Sequence, residues 1–353
     1  MRFYDLQTKT ITPKNGSLST PSGMLPTISS NDHGVVRQWT SFPKGSYDAG
    51  ALDIVFDLQI APGNTPTGGT VISIHGVNIE DLYQTQNFHG AELSLYAGML
   101  GGLPLSQDQP KPGLLINGTV FGAFGNWQGT EQTLDLLIVP STYTPDNPGN
   151  IVFSWQPGQS FSNAITQALN IAYPESKVSV FVNPALSTDQ YIGAFHATAQ
   201  GLAHTIKSHT RHALGPNYPG VSIYFNGSQI TVTDYSTSTA PTIALKFNDL
   251  VGQPTWLEPP TLTINTILRA DIQPGNYITL PVGESQSPWN YQPGPGAVLT
   301  MPTTSGAVFA NKLNFSGTFV VTAIRAVGHF RGTDDDAWLT VIQAIPVETI
   351  KPT

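Results

Sequence analysis

Four of the eight histidines, His196, His204, His209 and His212, crowd one stretch of this 353-residue chain. Two imidazoles one helical turn apart could hold a transition metal. On a helix starting at Ile192, at about 100° per residue, these four point in scattered directions. No carboxylate stands between them at ligand spacing, so they are read as solvated or loop histidines. The densest acidic run, Asp334-Asp335-Asp336, could hold a hard cation such as calcium. It follows Gly332-Thr333 between two alternating segments, where turn chemistry is preferred. An ion-binding loop would also need alternate spacing and a later Glu.

Nucleophilic catalysis is poorly served. Gly220-Val221-Ser222-Ile223-Tyr224 begins like a nucleophile elbow but lacks its second glycine. There is no phosphate-cradling loop and no dinucleotide fingerprint after a strand. Paired carboxylates for glycoside cleavage stay open, because their separation in space is not written in sequence. No acidic residue stands where a raised pKa is expected, so the chain is read as a non-enzyme with no cofactor and no metal.

The six tryptophans, Trp39, Trp127, Trp155, Trp256, Trp289 and Trp338, could form an aromatic face for sugars, or fill cores and subunit interfaces. Trp155, Trp256 and Trp338 lie beside strands or helix starts and are assigned to packing. Trp289 sits in a Pro/Gly-rich stretch and is the exposed binding candidate.

Composition narrows the classes further. Charged residues make up 11% of the chain, against roughly 25% in ordinary soluble domains. Ser, Thr, Asn, Gln, Gly and Pro replace them, and such a surface is easily desolvated in subunit contacts. With 15 basic and 23 acidic residues the net charge is -8, which argues against a dedicated nucleic-acid binder. The absence of cysteine excludes disulfides and thiolate metal sites. Neither a signal-like apolar start nor a run of about 18 apolar residues is present, so no membrane anchoring is expected. The Asn-Gly-Ser/Thr triplets at Asn15, Asn117 and Asn226 read as turns rather than glycosylation acceptors.

Three regions follow from the periodicity. Residues 1–140 read as short strands: 51–60, 71–77, 92–97, 114–121 and 133–139 alternate, as in a closed or partly closed antiparallel barrel. Residues 141–238 change period. Ser160 is the expected N-cap of a helix whose Phe161, Ile165, Ala168 and Ala172 share one face, with Pro174 ending it. A strand at 177–182 follows, then a second helix marked by Ile192, Phe195, Ala199, Leu202 and Ile206. Asn226-Gly227 between two alternating runs predicts a hairpin. Residues 239–353 return to strands at 242–247, 261–268, 276–280, 315–324 and 337–345. A long loop at 281–312 interrupts them and is expected to be a contact surface. The fold class is mainly β with a small α+β module.

Several segments resemble phage tail or baseplate hub proteins. Gly76-Val77-Asn78-Ile79-Glu80-Asp81-Leu82, Leu93 through Met99 and Gly102-Leu103-Pro104-Leu105-Ser106 resemble that family's first barrel. Phe153-Ser154-Trp155-Gln156-Pro157-Gly158 with Tyr173-Pro174 resembles its linking module. Phe247 through Trp256, Ile272 through Pro281 and Val320 through His329 resemble its second barrel. The resemblance covers about residues 50 to 345, and the order of the segments carries it.

It implies two tail-tube-like antiparallel β-barrels joined by an α+β domain, and a homotrimer whose six barrels form a pseudo-sixfold ring. Such a ring acts as a symmetry adaptor between the hexameric tail tube protein and a threefold central spike protein. Other baseplate proteins are further expected partners. Phage DNA passes through without specific binding, and the location is the virion tail tip or baseplate, after synthesis in the host cytoplasm. The competing classes are a β-rich receptor- or carbohydrate-binding tail protein and a tail-associated cell-wall hydrolase.

Overall fold

Alternation dictates the dominant element. In Asp53–Ile60 the residues Ile54, Phe56, Leu58 and Ile60 are buried while Asp57 and Gln59 face out, the period of two of a strand with one wet face. The computed structural model describes residues 1–9, 35–63, 70–100, 112–140, 149–174, 176–213, 218, 220–226, 229–236, 241–258, 260–280, 317–334 and 336–347. The 281–312 loop and Trp289 lie outside the described residues.

In chain order the elements begin with β1 (Arg2–Lys9), β2 (Val35–Thr40), β3 (Asp53–Ile60), β4 (Thr70–His75), α1 (Ile79–Tyr83), β5 (Glu92–Met99), β6 (Gly113–Gln128) and β7 (Glu131–Val139). A middle module holds β8 (Ile151–Trp155), α2 (Phe161–Ala172), β9 (Lys177–Phe181), β10 (Ile192–His196), α3 (Ala199–Ala213), β11 (Ser222–Asn226) and β12 (Gln229–Thr233). The last group is β13 (Thr242–Ala244), β14 (Thr255–Glu258), β15 (Thr261–Ile267), β16 (Tyr277–Thr279), β17 (Thr318–His329) and β18 (Trp338–Pro346).

The chain is mainly β with a small α+β module. The first and last groups form one sheet of 13 strands, ordered β14-β15-β18-β17-β3-β4-β7-β6-β5-β1-β2, with β16 and β13 branching from β17. The two groups repeat one plan. The order β3-β4-β7-β6-β5-β1 in the first is matched by β14-β15-β18-β17-β16-β13 in the second. Every pairing along these paths is antiparallel except β13 with β16. Both long strands carry a bulge, at Val120/Gly122 in β6 and Val321/Ala323 in β17. β3 joins the two groups, with β4 on one edge and β17 on the other.

The sheet keeps its apolar face inward over two cores. One gathers Tyr4, Leu6, Ile54, Phe56, Leu95 and Leu134 and reaches across to Leu268, Phe330 and Trp338. The other gathers Leu262, Ile264, Ile278, Phe319 and Ile342. The middle module has its own core around Phe153, Trp155, Phe161, Leu202, Ile206 and Val232. Within it, β11 and β12 form a two-residue hairpin with Asn226 opposite Gln229, as the Asn-Gly signal predicts.

Four expectations need correction. Ile192–His196 is strand β10, paired with β8, and not the start of a helix. Ile192 packs inward and Phe195 is exposed, so their helical spacing is incidental. α3 starts after Thr198, whose Oγ1 accepts the Gly201 N–H at 3.2 Å. Ser160 occupies the cap position of α2 without a side-chain cap bond; its backbone instead bridges to Ser187. Asn117-Gly118 lies inside β6, not in a turn. A Cβ on Gly118 would stand 2.5 Å from the Val139 carbonyl oxygen, so the glycine serves a close strand approach. β1 and β2 are absent from the sequence reading, because β1 turns Thr8 as well as Tyr4 and Leu6 into the core.

Candidate functional site

Turning every second side chain inward leaves the opposite face of the sheet largely polar, with Phe124 and Leu257 as exposed apolar exceptions. On β1, β2 and β5, Gln7 Nε2 and Gln38 Nε2 each donate to Asp5 at 2.7 Å, and Asn117 Nδ2 on β6 donates to Glu92 at 3.1 Å. Further along, Asp135 accepts from Ser73 Oγ at 2.6 Å and Asn126 Nδ2 at 2.9 Å. These carboxylates are held by amides and hydroxyls. Their negative charge is fixed in place but not neutralised.

The exception marks the seam where the two groups join. Residues Ile324 to His329 of β17 pair antiparallel with Ile60 to Val55 of β3. On the polar face Arg325 forks onto Asp57, with Nε at 2.7 Å and Nη2 at 2.6 Å. Both side chains are about half exposed, and the pair holds the guanidinium pKa above its ordinary value through hydrogen bonds and charge. Four residues along each strand, His329 Nε2 lies 3.0 Å from Asp53. On the buried side the Phe56 and Trp338 rings meet edge to face at 5.2 Å. Gly328 leaves room for this packing: a Cβ there would fall 2.1 Å from the Phe56 ring. Arg2 closes the end by donating to the carbonyls of His329 at 2.9 Å and Phe330 at 3.2 Å, and also to that of Gly332.

A cavity of about 400 Å³ opens on the polar face at this seam, between Asp57, Gln59, Arg325, Gln343, Thr263 and Leu257. Its walls come from six neighbouring strands, so it is a trough across the sheet. Thr263 Oγ1 and Asn265 Oδ1 beside it are buried without a hydrogen-bond partner.

Two further arrangements hold these parts in place. Arg269, between β15 and β16, forks onto Asp271 at 2.9 and 2.7 Å and reaches Asp249 at 3.0 Å. Arg269 and Asp249 are both nearly fully buried. In the middle module Asp234 is 0% exposed and accepts from Asn183 N, Tyr218 Oη and Ser236 N and Oγ. Burial first, and then the Asp234 charge, push the Tyr218 hydroxyl pKa far up. Next to Asp234, Tyr235 holds a positive φ of 61° and its hydroxyl meets that of Tyr224. Tyr224 Oη in turn donates to the Thr322 carbonyl of β17 at 2.8 Å, which ties the module to the bulge beside the seam.

The residues singled out by sequence scatter. His196 lies on β10 and His204 and His209 on α3, and among the described residues no three His, Asp or Glu stand close enough to hold a metal. Burial lowers the His196 pKa, and its Nε2 has no partner. The Asp334 carbonyl accepts the Ala337 N–H at 3.1 Å, a turn. Ser222 is buried in β11. Trp155 and Trp338 are buried and Trp256 is half-buried. The sequence names Trp127 among the aromatic candidates without placing it, and gives no sign of the exposed Phe124 beside it near the end of β6 or of Leu257 on β14. The bulge in β6 inverts the alternation there and hides a strand that runs on to Gln128.

No family model matches the chain, and no curated protein matches it. Its fold is similar to those of solved phage tail proteins. One is a tail protein from Neisseria meningitidis MC58, with 11% identity over 85% of this chain and 99% of that chain and a TM-score of 0.43. Another is the prophage MuSo2 43 kDa tail protein from Shewanella oneidensis, with 9% identity, 85% and 98% coverage and a TM-score of 0.43. A third similarity is to a chain of the Francisella PdpA–VgrG complex, at 7% identity over 100% of this chain and 54% of that chain, with a TM-score of 0.46. Likeness of this order does not assign the chain to a family.

Proposed function

We propose that this chain is a structural hub of a phage tail tip or baseplate and not an enzyme. Three copies form a pseudo-sixfold ring that joins a hexameric tail tube to a threefold central spike and leaves a channel for DNA. The observation that supports this reading is the repeated strand order of the two groups; the reading takes them as two tube-like units, residues 1–140 and 239–353, linked by the module at 141–238. Two units per chain and three chains give six equivalent positions, which is how a trimer meets a sixfold partner without distortion.

The polar face suits the channel wall. Its carboxylates Asp5, Glu92 and Asp135 are carried on neutral neighbours, so DNA passing along it meets like charge and few cations that would hold a phosphate. The role is mechanical, with backbone pairing continuing the sheet around the ring.

Light scattering on the purified chain tests this reading directly. One chain is 37.8 kDa, and the expected species contains three. A monomer at all concentrations that binds glycans, and loses that binding with Trp289→Ala, would overturn the hub in favour of a carbohydrate-binding tail protein.

A further inference from the structure

Each strand group offers the same two edges, but only one pair of them is joined within the chain. Before its bulge β17 pairs with β16; after it, the same edge pairs with β3. In the first group β6 pairs with β5 before its bulge. After it, Gly122 to Gln128 have β7 as their one strand partner among the described residues. The counterpart of β3 in the second group is β14, which has β15 as its one strand partner among the described residues. The chain therefore carries both halves of a second seam, one on the end strand β14 and the other on the last part of β6, which stands between β7 and β5 in the strand order.

We infer that the end of β6 in one copy pairs antiparallel with β14 of a second copy, in the register of the internal seam; this rests on the ring reading above. The registers fix which residues meet. Gly122 stands opposite Leu137 just past its bulge, as Ala323 stands opposite Gln343. Phe124 thus takes the place of Arg325, and Gly125 that of Ala326. Val71 pairs with Leu137 as Thr263 pairs with Gln343. Asp57 pairs with Val71 as Thr255 pairs with Thr263, so Trp256 takes the place of Leu58; Leu257, the extra residue of a bulge between Trp256 and Glu258, follows it where β3 has Gln59. Inside the chain Arg325 faces Gln59 and Ala326 faces Leu58. Between copies Phe124 faces Leu257, and Gly125 faces Trp256.

The side chains fit that placement. Phe124 is 55% exposed and Leu257 64%, and both lie on the outer face where the internal seam carries polar residues. Large apolar groups left in water at these two positions, one on each unpaired edge, are covered together by this single contact. The contact is heterologous: one surface of a copy meets a different surface of the next, and the arrangement propagates from copy to copy.

Opposed residues of an antiparallel pair lie about 4.5–5.5 Å apart at Cα, inside the range a disulfide spans. The chain has no cysteine of its own, so an introduced pair reports unambiguously. Phe124→Cys with Leu257→Cys in the full chain is expected to give covalent multimers on mild oxidation. Either single variant is expected to give none, and Asn126→Cys with Leu257→Cys, displaced along the same face, far less. Phe124→Lys and Leu257→Glu made singly are each expected to weaken self-association about tenfold or more, and the two combined to recover most of it, with circular dichroism unchanged throughout. A three-chain species with no Phe124–Leu257 cross-link overturns this seam and leaves the ring reading standing. No multimer and no cross-link overturns both. A cross-link from Leu257→Cys alone shows a symmetric contact and overturns the seam.

Discussion

Arg325 and Gln59 face each other where β17 meets β3; at the matching positions on the two edges that have no second strand partner among the described residues stand Phe124 and Leu257. The internal seam joins segments of one chain, so its partner is always at hand. It can be finished with an exposed ion pair and amides on one side and with core packing on the other. An edge that waits for a partner from solution has to offset the loss of free translation, and large apolar side chains supply that. The same strand plan thus carries polar chemistry where connectivity guarantees the contact and apolar chemistry where it does not.

Substitutions can separate the two sides of the seam. Phe56→Ala removes the ring that packs on Trp338 and beneath Gly328, and is expected to cost about 3–5 kcal/mol in chemical denaturation. An effect under about 1 kcal/mol would place the seam's strength elsewhere. The second group has a buried clasp to compare. Asp249→Ala leaves the buried Arg269 with Asp271 alone, and a loss of about 2–3 kcal/mol is expected. The first group ties α1 to β2 through Arg37 and Asp81 at 2.8 Å, but Arg37 is partly exposed. Asp81→Ala is therefore expected to cost less, about 1–2 kcal/mol. On the wet side of the seam, Arg325→Ala breaks a pair screened by solvent and should change stability by no more than about 1 kcal/mol.

The smallest expected effect is one of pH. Burial lowers the His196 pKa, so the fold favours the neutral imidazole. Its contribution is present above the unfolded-state pKa of about 6.5 and is lost as pH falls toward the folded value. Midpoints of urea unfolding measured from pH 7 down to 5 should fall less for His196→Leu than for the parent. Parallel curves would show that His196 is not the group responsible.

Most of the strands were legible because half-buried strands alternate, and the hairpin at Asn226 because only a few residue pairs turn so tightly. What failed did so for local physical reasons. β6 loses its alternation at Val120/Gly122, where an extra residue shifts the phase, and with it went the outward places of Phe124 and Trp127. Ile192 and Phe195, three residues apart, share a face in a helix but lie on opposite faces of the strand they form, and Thr198, which marks where the helix starts, looks like any other threonine. The seam itself could not be read at all. Pairing between Asp57 and Arg325 spans 268 residues, and no local pattern in either strand names the other.

That separation also sets an order in time. β3 leaves the ribosome well before β17, so the outer edge of β3 stands open until β17 has been made. An early-terminated chain would present that edge, flanked by Ile54, Phe56 and Leu58, to any other strand nearby. Synthesis of β17 is thus what covers the edge of β3, and a chain that stops before β17 is expected to aggregate more readily than one that contains it.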